Sequence, residues 1–258
     1  MNFVANEVRY VENLLEKKQL TPRKVTKELR LTVQYYLSRG YTMEEAVDCV
    51  VAFINQVNDN SSGEKWRKTL NGMAKDLIKK NDLIMRTVDE INFTKEEVET
   101  ISSLEKETQR RYAWGILLLC KIVNNGKKSK WLYIEHTNKF CKAVGVILPN
   151  AKAREKVFND LKNAGLLKIS KQTGNDSMEV LFAKDEGEIV ISFQTYNHLT
   201  REENYFENAM NLYGQIFNDK KVYKCQICKA IIQCDTRVKK YCSVCAEEVK
   251  RGRVKNEC

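Results

Sequence analysis

The chain has 258 residues, which is enough sequence for two or three modules. Its formal net charge of +10 favours a polyanionic partner. The first residues lack the charged start and apolar run of an export signal, and the longest apolar stretch, residues 114–120, is too short to cross a bilayer. These features argue against secretion and membrane insertion. Nine cysteines, two prolines and sparse glycine then predict a mainly helical, cytoplasmic protein with reduced thiols.

Residues 1–81 predict a helical domain. Apolar residues recur at spacings of three and four, which is typical of amphipathic helices that bury one face. Thr21-Pro22 is a suitable helix start, and Thr42 with Glu45 forms a capping-box pattern. We expect helices at residues 2–18, 21–39, 42–57 and 64–80, with a loop over residues 58–63. Nothing in this domain indicates a site, so its surface serves packing or a partner protein.

Residues 82–108 predict a linker followed by a short helix. Residues 82–93 lack helical periodicity and favour a strand or an extended linker. Thr94 and Glu97 form a second capping-box pattern, which opens a helix to about Leu104.

Residues 109–199 have the element order of a winged-helix domain. A helix that is apolar on nearly all sides, and therefore buried, ends at residues 124–126. A short strand or turn and a helix occupy residues 131–144, a turn follows, and Asn150 is placed to cap a second helix that runs to Asn163. Further strands are predicted at residues 166–169, 178–183 and 188–193, with a hairpin loop at 172–177.

In a winged helix, the outward face of the helix at 150–163 is the recognition surface. The candidate nucleic-acid contacts on this surface are Lys152, Lys156, Asn159 and Lys162, with Lys171 on the wing. Lysine suits phosphates and asparagine can bind adenine, whereas Glu155 and Asp176 would repel the DNA backbone. Because the charge is mixed and many winged helices bind proteins, a protein-interaction role stays open.

Residues 200–219 predict a connecting helix with a broad apolar stripe. This stripe either packs back on the core, which we favour, or pairs with a partner such as a second copy of the chain. Its aromatic residues do not by themselves indicate base stacking, because stacking sites need exposed rings in a basic groove.

The carboxy-terminal residues 220–258 contain two Cys-x2-Cys pairs. The four predicted ligands are Cys225, Cys228, Cys242 and Cys245. Two such pairs can complete the tetrahedron of thiolates that suits a structural Zn²⁺ ion, whereas disulfides need an oxidising compartment. The stretch between the pairs is long enough for a β-hairpin, and the second pair opens a helix, so we expect a zinc module of the treble-clef type. Cys234 lies between the pairs and is predicted to be a spare thiol.

Eleven basic and four acidic residues in this module leave a net charge of +7, or +5 once Zn²⁺ and four thiolates are counted. Such a density of cations favours contact with phosphates over a merely solubilising tail. The candidate nucleic-acid contacts here are Arg237, Lys239, Lys240, Lys250, Arg251 and Arg253.

Residues 28–45 (ELRLTVQYYLSRGYTMEE), residues 161–167 (LKNAGLL) and the cysteine module together resemble a group of phage and prophage proteins from low-GC Gram-positive bacteria. Members of this group combine a helical front, a winged helix and often a cysteine module. The resemblance implies a phage-encoded protein in the cytoplasm of a bacterial host, connected with DNA replication, gene regulation or interference with a host system. It implies no catalytic residues.

Enzyme motifs are absent from the sequence. The two histidines, His136 and His198, lie in different segments, and no phosphate-binding loop, nucleophile elbow or zinc-protease motif is present. We therefore expect a non-enzymatic protein. Two classes compete: a DNA-binding protein that contacts phosphates through the winged helix and the zinc module, and an inhibitor or adaptor of a host system in which structural zinc stabilises a small domain. The basic tail favours the first.

Overall fold

The computed structural model describes residues 4–57, 63–125, 130–134, 137–170, 177–197, 202–203, 205–218, 220–234 and 240–251. Over these residues the chain is mainly helical with small sheets, which confirms the predicted α-rich class. In this part of the chain no helix combines the length and the apolar character needed to cross a membrane. The chain divides into two compact units, residues 6–87 and residues 1–5 with 88–258.

Four α-helices and a short 3₁₀ helix (Gly63–Trp66) build the unit at residues 6–87. The α-helices are α1 (Glu7–Lys17), α2 (Val25–Ser38), α3 (Met43–Val57) and α4 (Arg67–Lys79). Leu29, Val50 and Leu70 are fully buried in the core that α2, α3 and α4 enclose. The predicted capping box is present, because the Thr42 amide donates to Glu45 and the Glu45 amide donates back to the Thr42 hydroxyl.

The start of α2 differs from the prediction at Thr21-Pro22. The Lys24 amide donates to the Thr21 carbonyl, and Arg23 has a positive φ of 70°, so residues 21–24 form a turn instead. The buried Glu28 carboxylate holds this turn by accepting hydrogen bonds from the Thr21 amide (2.7 Å) and the Tyr10 hydroxyl (2.6 Å). This contact with α1 cannot be inferred from local sequence.

The second unit contains the remaining elements. In chain order they are β1 (Glu90–Thr94), α5 (Lys95–Ser102), α6 (Glu107–Val123), β2 (Trp131–Tyr133), α7 (Thr137–Ala143), α8 (Ala151–Asn163), β3 (Leu167–Ile169), β4 (Ser177–Val180), β5 (Ile189–Gln194), β6 (Tyr196–Asn197), β7 (Glu202–Glu203), α9 (Tyr205–Asn218), β8 (Lys221–Lys224), β9 (Ile231–Cys234) and α10 (Ser243–Lys250). β1 pairs antiparallel with β5, and β6 with β7. The predicted capping box of Thr94 and Glu97 starts α5.

Helix α6 is the centre of this unit, as its all-round apolar sequence predicted. Tyr112, Trp114 and Leu117 are fully buried. A Cβ atom at Gly115 would lie 2.3 Å from Val144 Cγ1 and 3.0 Å from the Phe140 ring, so glycine is what allows α7 to approach α6. This close packing places α7 and the following turn against the core.

A three-stranded antiparallel sheet with the order β2-β4-β3 accompanies α6, α7 and α8. Leu132 pairs with Met178 and Leu167 with Val180, and these four side chains are buried. The Asn150 side chain accepts from the Ala153 amide (2.9 Å), which confirms the predicted cap of α8. Val157 and Leu161 are buried, so the opposite face of α8 is exposed.

Helix α9 packs against α6 of the same chain. The Trp114 indole Nε1 donates to the Ala209 carbonyl of α9 (2.9 Å), and Tyr213 and Phe217 contact the Trp114 ring. Core packing was the favoured interpretation of the apolar stripe at residues 200–219. The aromatic side chains of α9 therefore stabilise the unit instead of forming an exposed platform.

Candidate metal centre and cationic surface

The sulfur atoms of Cys225, Cys228, Cys242 and Cys245 form one cluster. All four Sγ atoms lie within 4.8 Å of one another, and those of Cys228 and Cys242 are 3.7 Å apart. A tetrahedral ion with metal–sulfur bonds of about 2.3 Å separates its ligands by about 3.8 Å. The four cysteines singled out by their spacing thus come together in a geometry that could hold a metal ion.

The first cysteine pair lies in the turn of a β-hairpin. β8 ends directly before Cys225, β9 begins after Ala230, and the two strands pair from Lys224↔Ile231 outward. The Cys225 amide donates to the Ala230 carbonyl (2.8 Å), and Lys229 has the positive φ of 59° that the reversal requires. β9 lies in the stretch where a hairpin was predicted, and it pairs with β8, which precedes the first cysteine pair, because the Cys225–Cys228 turn reverses the chain. Residues 235–239 of the predicted stretch lie outside the described residues.

The second cysteine pair opens α10, as predicted. The Cys242 sulfur caps the helix by accepting from the Cys245 amide (3.4 Å), and the Cys242 amide donates to the Cys225 sulfur (3.4 Å). Backbone N–H groups that point at sulfur favour the thiolate, which is the form that binds metal.

Burial and hydrogen bonding act in opposite directions on these thiols. Burial disfavours ionisation of Cys225, but the backbone amides of Cys228, Cys242 and Ile227 lower its pKa to about 7. Burial raises the pKa of Cys228 to about 11, and burial together with the neighbouring thiols raises that of Cys245. Metal binding to this cluster must therefore release protons, since the ligands bind as thiolates.

The β8–β9 hairpin and α10, which together we call the metal module, share a very small core. Ile232 and Ala230 are buried beside the cysteines, and Tyr223, Ile227 and Tyr241 cover them in part. So small a core rarely supports a domain without a metal or disulfide. The side chain of Cys234, the predicted spare thiol, lies outside the described part of the structure.

Two asparagines on α9 hold the hairpin. The Asn208 Oδ1 accepts from the Ile231 amide (3.0 Å), and the Asn211 Nδ2 donates to the Ile231 carbonyl (2.7 Å). Asn208 also donates to the Gln194 carbonyl at the end of β5 (3.2 Å). Through these bonds and the contact of Trp114 with Ala209, the hairpin is connected to the core helix α6.

Replacing Asn208 by alanine should weaken this connection. The buried Ile231 amide would lose its acceptor, a loss of about 1–3 kcal/mol. We expect hydrogen exchange at the Ile231 amide to accelerate by roughly tenfold to a hundredfold in the zinc-loaded protein. Asn159→Ala, on an exposed face of α8, serves as the control and should leave that exchange rate unchanged. Equal protection of Ile231 in both variants would contradict the role of Asn208.

The predicted contacts on α8 lie together. Lys152, Lys156, Asn159 and Lys162 are all exposed. Sequence analysis missed three further cations, Lys139 and Lys142 on α7 and Arg154 on α8. The signal was present, because the buried pair Phe140 and Cys141 leaves the flanking lysines exposed.

Residues 137–163 of this unit carry six cationic side chains on α7 and α8. In the described part of the chain none of them forms an ion pair. Five other lysines of this unit do have a carboxylate partner, whereas Lys221, Lys224 and Lys240 have none among the described residues. The pairs are Lys95–Glu188, Lys121–Glu97, Lys130–Asp185, Lys168–Glu179 and Lys184–Glu96. We define the cationic face as the exposed residues Lys139, Lys142, Lys152, Lys156 and Lys162 together with the half-buried Arg154.

The other predicted nucleic-acid contacts lie partly in the metal module and partly outside the described residues. Lys240 and Lys250 are exposed in the metal module. The Arg251 guanidinium lies 3.5 Å from Glu247 and 3.3 Å from Glu248, so part of its charge is locally compensated. Outside the described residues lie Lys171, Arg237, Lys239 and Arg253, together with His136 and His198.

Searches of family models, of curated proteins and of solved structures all return no match for this chain. The two features of this chain that indicate a function are the cysteine cluster and the cationic face.

Proposed function

We propose that this chain is a zinc-containing protein that binds DNA through α8 and through the basic metal module. The observation that carries the proposal is the cationic face, whose six side chains form no ion pair in the described part of the chain. Unpaired lysine and arginine side chains on one surface are suited to phosphate groups, since binding there releases condensed counterions.

The order of elements supports a winged-helix arrangement. The chain order α6, β2, α7, α8, β3, β4 is the order expected, and the strand order β2-β4-β3 fits a wing formed by β3 and β4. In such a domain the recognition helix enters the major groove while the preceding helix approaches the backbone. Lys139 and Lys142 on α7 would then contact phosphates, and Asn159 on α8 could bind a base edge.

The donor set supports zinc as the metal. Four thiolates in a closed tetrahedral site are typical of structural Zn²⁺, which leaves no open position for a water molecule. Two knuckles, a hairpin and a helix that carries the second pair support a module of the treble-clef type. Its role would be to present exposed lysines such as Lys240 and Lys250 to the phosphate backbone. The resemblance to phage proteins suggests replication or gene regulation as the setting.

Binding of the zinc-loaded protein to random-sequence duplex DNA tests the proposal. If the six cations of the cationic face contact phosphates, log K should fall with log salt at a slope of about −5, and affinity should drop roughly 10³-fold between 50 and 200 mM salt. Fluorescence anisotropy with a labelled duplex measures both quantities. Absence of binding at 50 mM salt would contradict the proposal.

A second function, as a non-enzymatic inhibitor or adaptor of a host system, has its own support. Trp131 and Tyr133 alternate along β2 and are 37% and 48% exposed, and Leu181, directly after β4, is 48% exposed. Exposed large apolar side chains are typical of protein-binding surfaces. This function would be favoured if the chain bound a host protein with an affinity that does not change with salt concentration and showed no affinity for DNA.

A further inference from the structure

A cleft of about 190 Å³ lies where the α7–α8 turn, α9 and the metal-module hairpin meet. Its polar lining comes from Arg111, Lys220, Asn211, Asn218 and Gln233, and its lining residues in the described part of the chain include no acid. Arg111, Lys220 and Gln233 carry N–H donors at the cleft, whereas the Asn211 Nδ2 atom donates to the Ile231 carbonyl (2.7 Å) and the Asn218 Nδ2 atom to Glu107 (3.3 Å). A concave site rich in such donors is chemically suited to an anion, and phosphate is the anion for which guanidinium groups have matching geometry.

The Arg111 guanidinium is held in a defined orientation at this cleft. Its Nε and Nη2 atoms each donate to Glu107 (2.8 Å), Nη1 donates to the Val144 carbonyl (3.4 Å), and the group lies 5.0 Å from the Tyr213 ring centroid. Of the five N–H groups of a guanidinium, these contacts use three. Two therefore remain for a ligand.

The backbone at the cleft makes room for this guanidinium. Gly145 has a positive φ of 68°, and a Cβ atom there would lie 2.8 Å from the Arg111 Nη1 atom. Glycine at this turn satisfies the left-handed conformation and also admits the arginine. Glu107 is half exposed and does not itself line the cleft, but its carboxylate contacts two lining residues, Arg111 (2.8 Å) and Asn218 (3.3 Å).

The geometry points to a phosphate-binding cleft, in which Arg111 and Lys220 hold one phosphate group of the nucleic-acid backbone. This inference rests on the proposed function, because it names the place where DNA would bridge α7–α8 and the metal module. Gln233 contributes an amide from β9 opposite α9, so the cleft requires the hairpin to be in place. The cleft thus couples an intact metal module to DNA binding.

Gln233→Glu tests the inference, because it places a carboxylate in the cleft that would repel a phosphate and itself occupy the cations. Gln226→Glu is the matched control, since Gln226 is exposed in the same module and does not line the cleft. With zinc-loaded full-length protein and duplex DNA, we expect Gln233→Glu to weaken binding about tenfold and to reduce the salt slope by about one. Equal affinities of the two variants for DNA would contradict phosphate binding in the cleft while leaving the proposed function intact.

A second arm uses inorganic phosphate, titrated against chloride at constant ionic strength. We expect the backbone amide NMR signals of Gly145 and Gly214 to shift in the parent protein and in Gln226→Glu, but not in Gln233→Glu. If the protein binds no DNA, the proposed function fails, and these shifts then assign the cleft to free phosphate. If phosphate caused no shifts in the parent protein and Gln233→Glu left the DNA affinity unchanged, both tests would contradict the inference.

Discussion

The Cys242→Ser, Cys245→Ser variant should bind no zinc and should lose the folded structure of the β8–β9 hairpin and of α10. Serine hydroxyls are poor zinc ligands, and two thiolates alone cannot complete the tetrahedron. The binding free energy of a structural zinc site, about 10–16 kcal/mol at neutral pH, is also the folding free energy of so small a module. Because the buried residues here are mostly the cysteines and their neighbours, the hydrogen bonds of Asn208 and Asn211 to Ile231 would not by themselves keep the hairpin folded.

Metal analysis and limited proteolysis measure this outcome. We expect about one zinc per chain in the parent protein and almost none in the variant, with new cleavage confined to residues 220–251. Cys49→Ser makes the same chemical change at a half-buried thiol in the other unit and should retain zinc. A variant that keeps its zinc, or that resists proteolysis in this module, would contradict the assignment of the ligands.

The second large effect is expected on the cationic face. Replacing Lys152, Lys156 and Lys162 by glutamine removes three unpaired charges from one surface of α8. Because each lost phosphate contact reduces the salt slope by about 0.9, the slope should fall by about three and the affinity for duplex DNA at 100 mM salt by roughly 10²- to 10³-fold. These side chains are exposed, so the free energy of unfolding should change little.

A control triple variant isolates position from net charge. Lys68, Lys75 and Lys79 are exposed on α4, in the other compact unit, and also form no ion pair within the described residues. Their replacement by glutamine removes the same charge from a helix of similar length. We expect its affinity to fall far less than that of the α8 variant. Equal losses would show that net charge, and not the cationic face, determines binding.

The local features of the fold could be predicted from the sequence, because they depend on neighbouring residues. The capping boxes at Thr42 and Thr94, the cap at Asn150 and the buried helix α6 are all present. The start of α2 was wrong because Glu28 binds the Thr21 amide and the α1 residue Tyr10, and a contact across helices leaves no periodic pattern in the sequence.

The four cysteines of the candidate metal centre could be predicted from the sequence alone, since two Cys-x2-Cys turns of equal spacing can converge on one point whatever surrounds them. Tertiary structure decided the rest of the site. It placed the first pair within the hairpin, where β8 and β9 pair across the knuckle, and it attached β9 to α9 through Asn208 and Asn211. It also decided which lysines have carboxylate partners, because ion pairing depends on residues far apart in the chain. The unpaired cations of α7 and α8 could therefore not be distinguished by sequence from paired lysines such as Lys121 and Lys184.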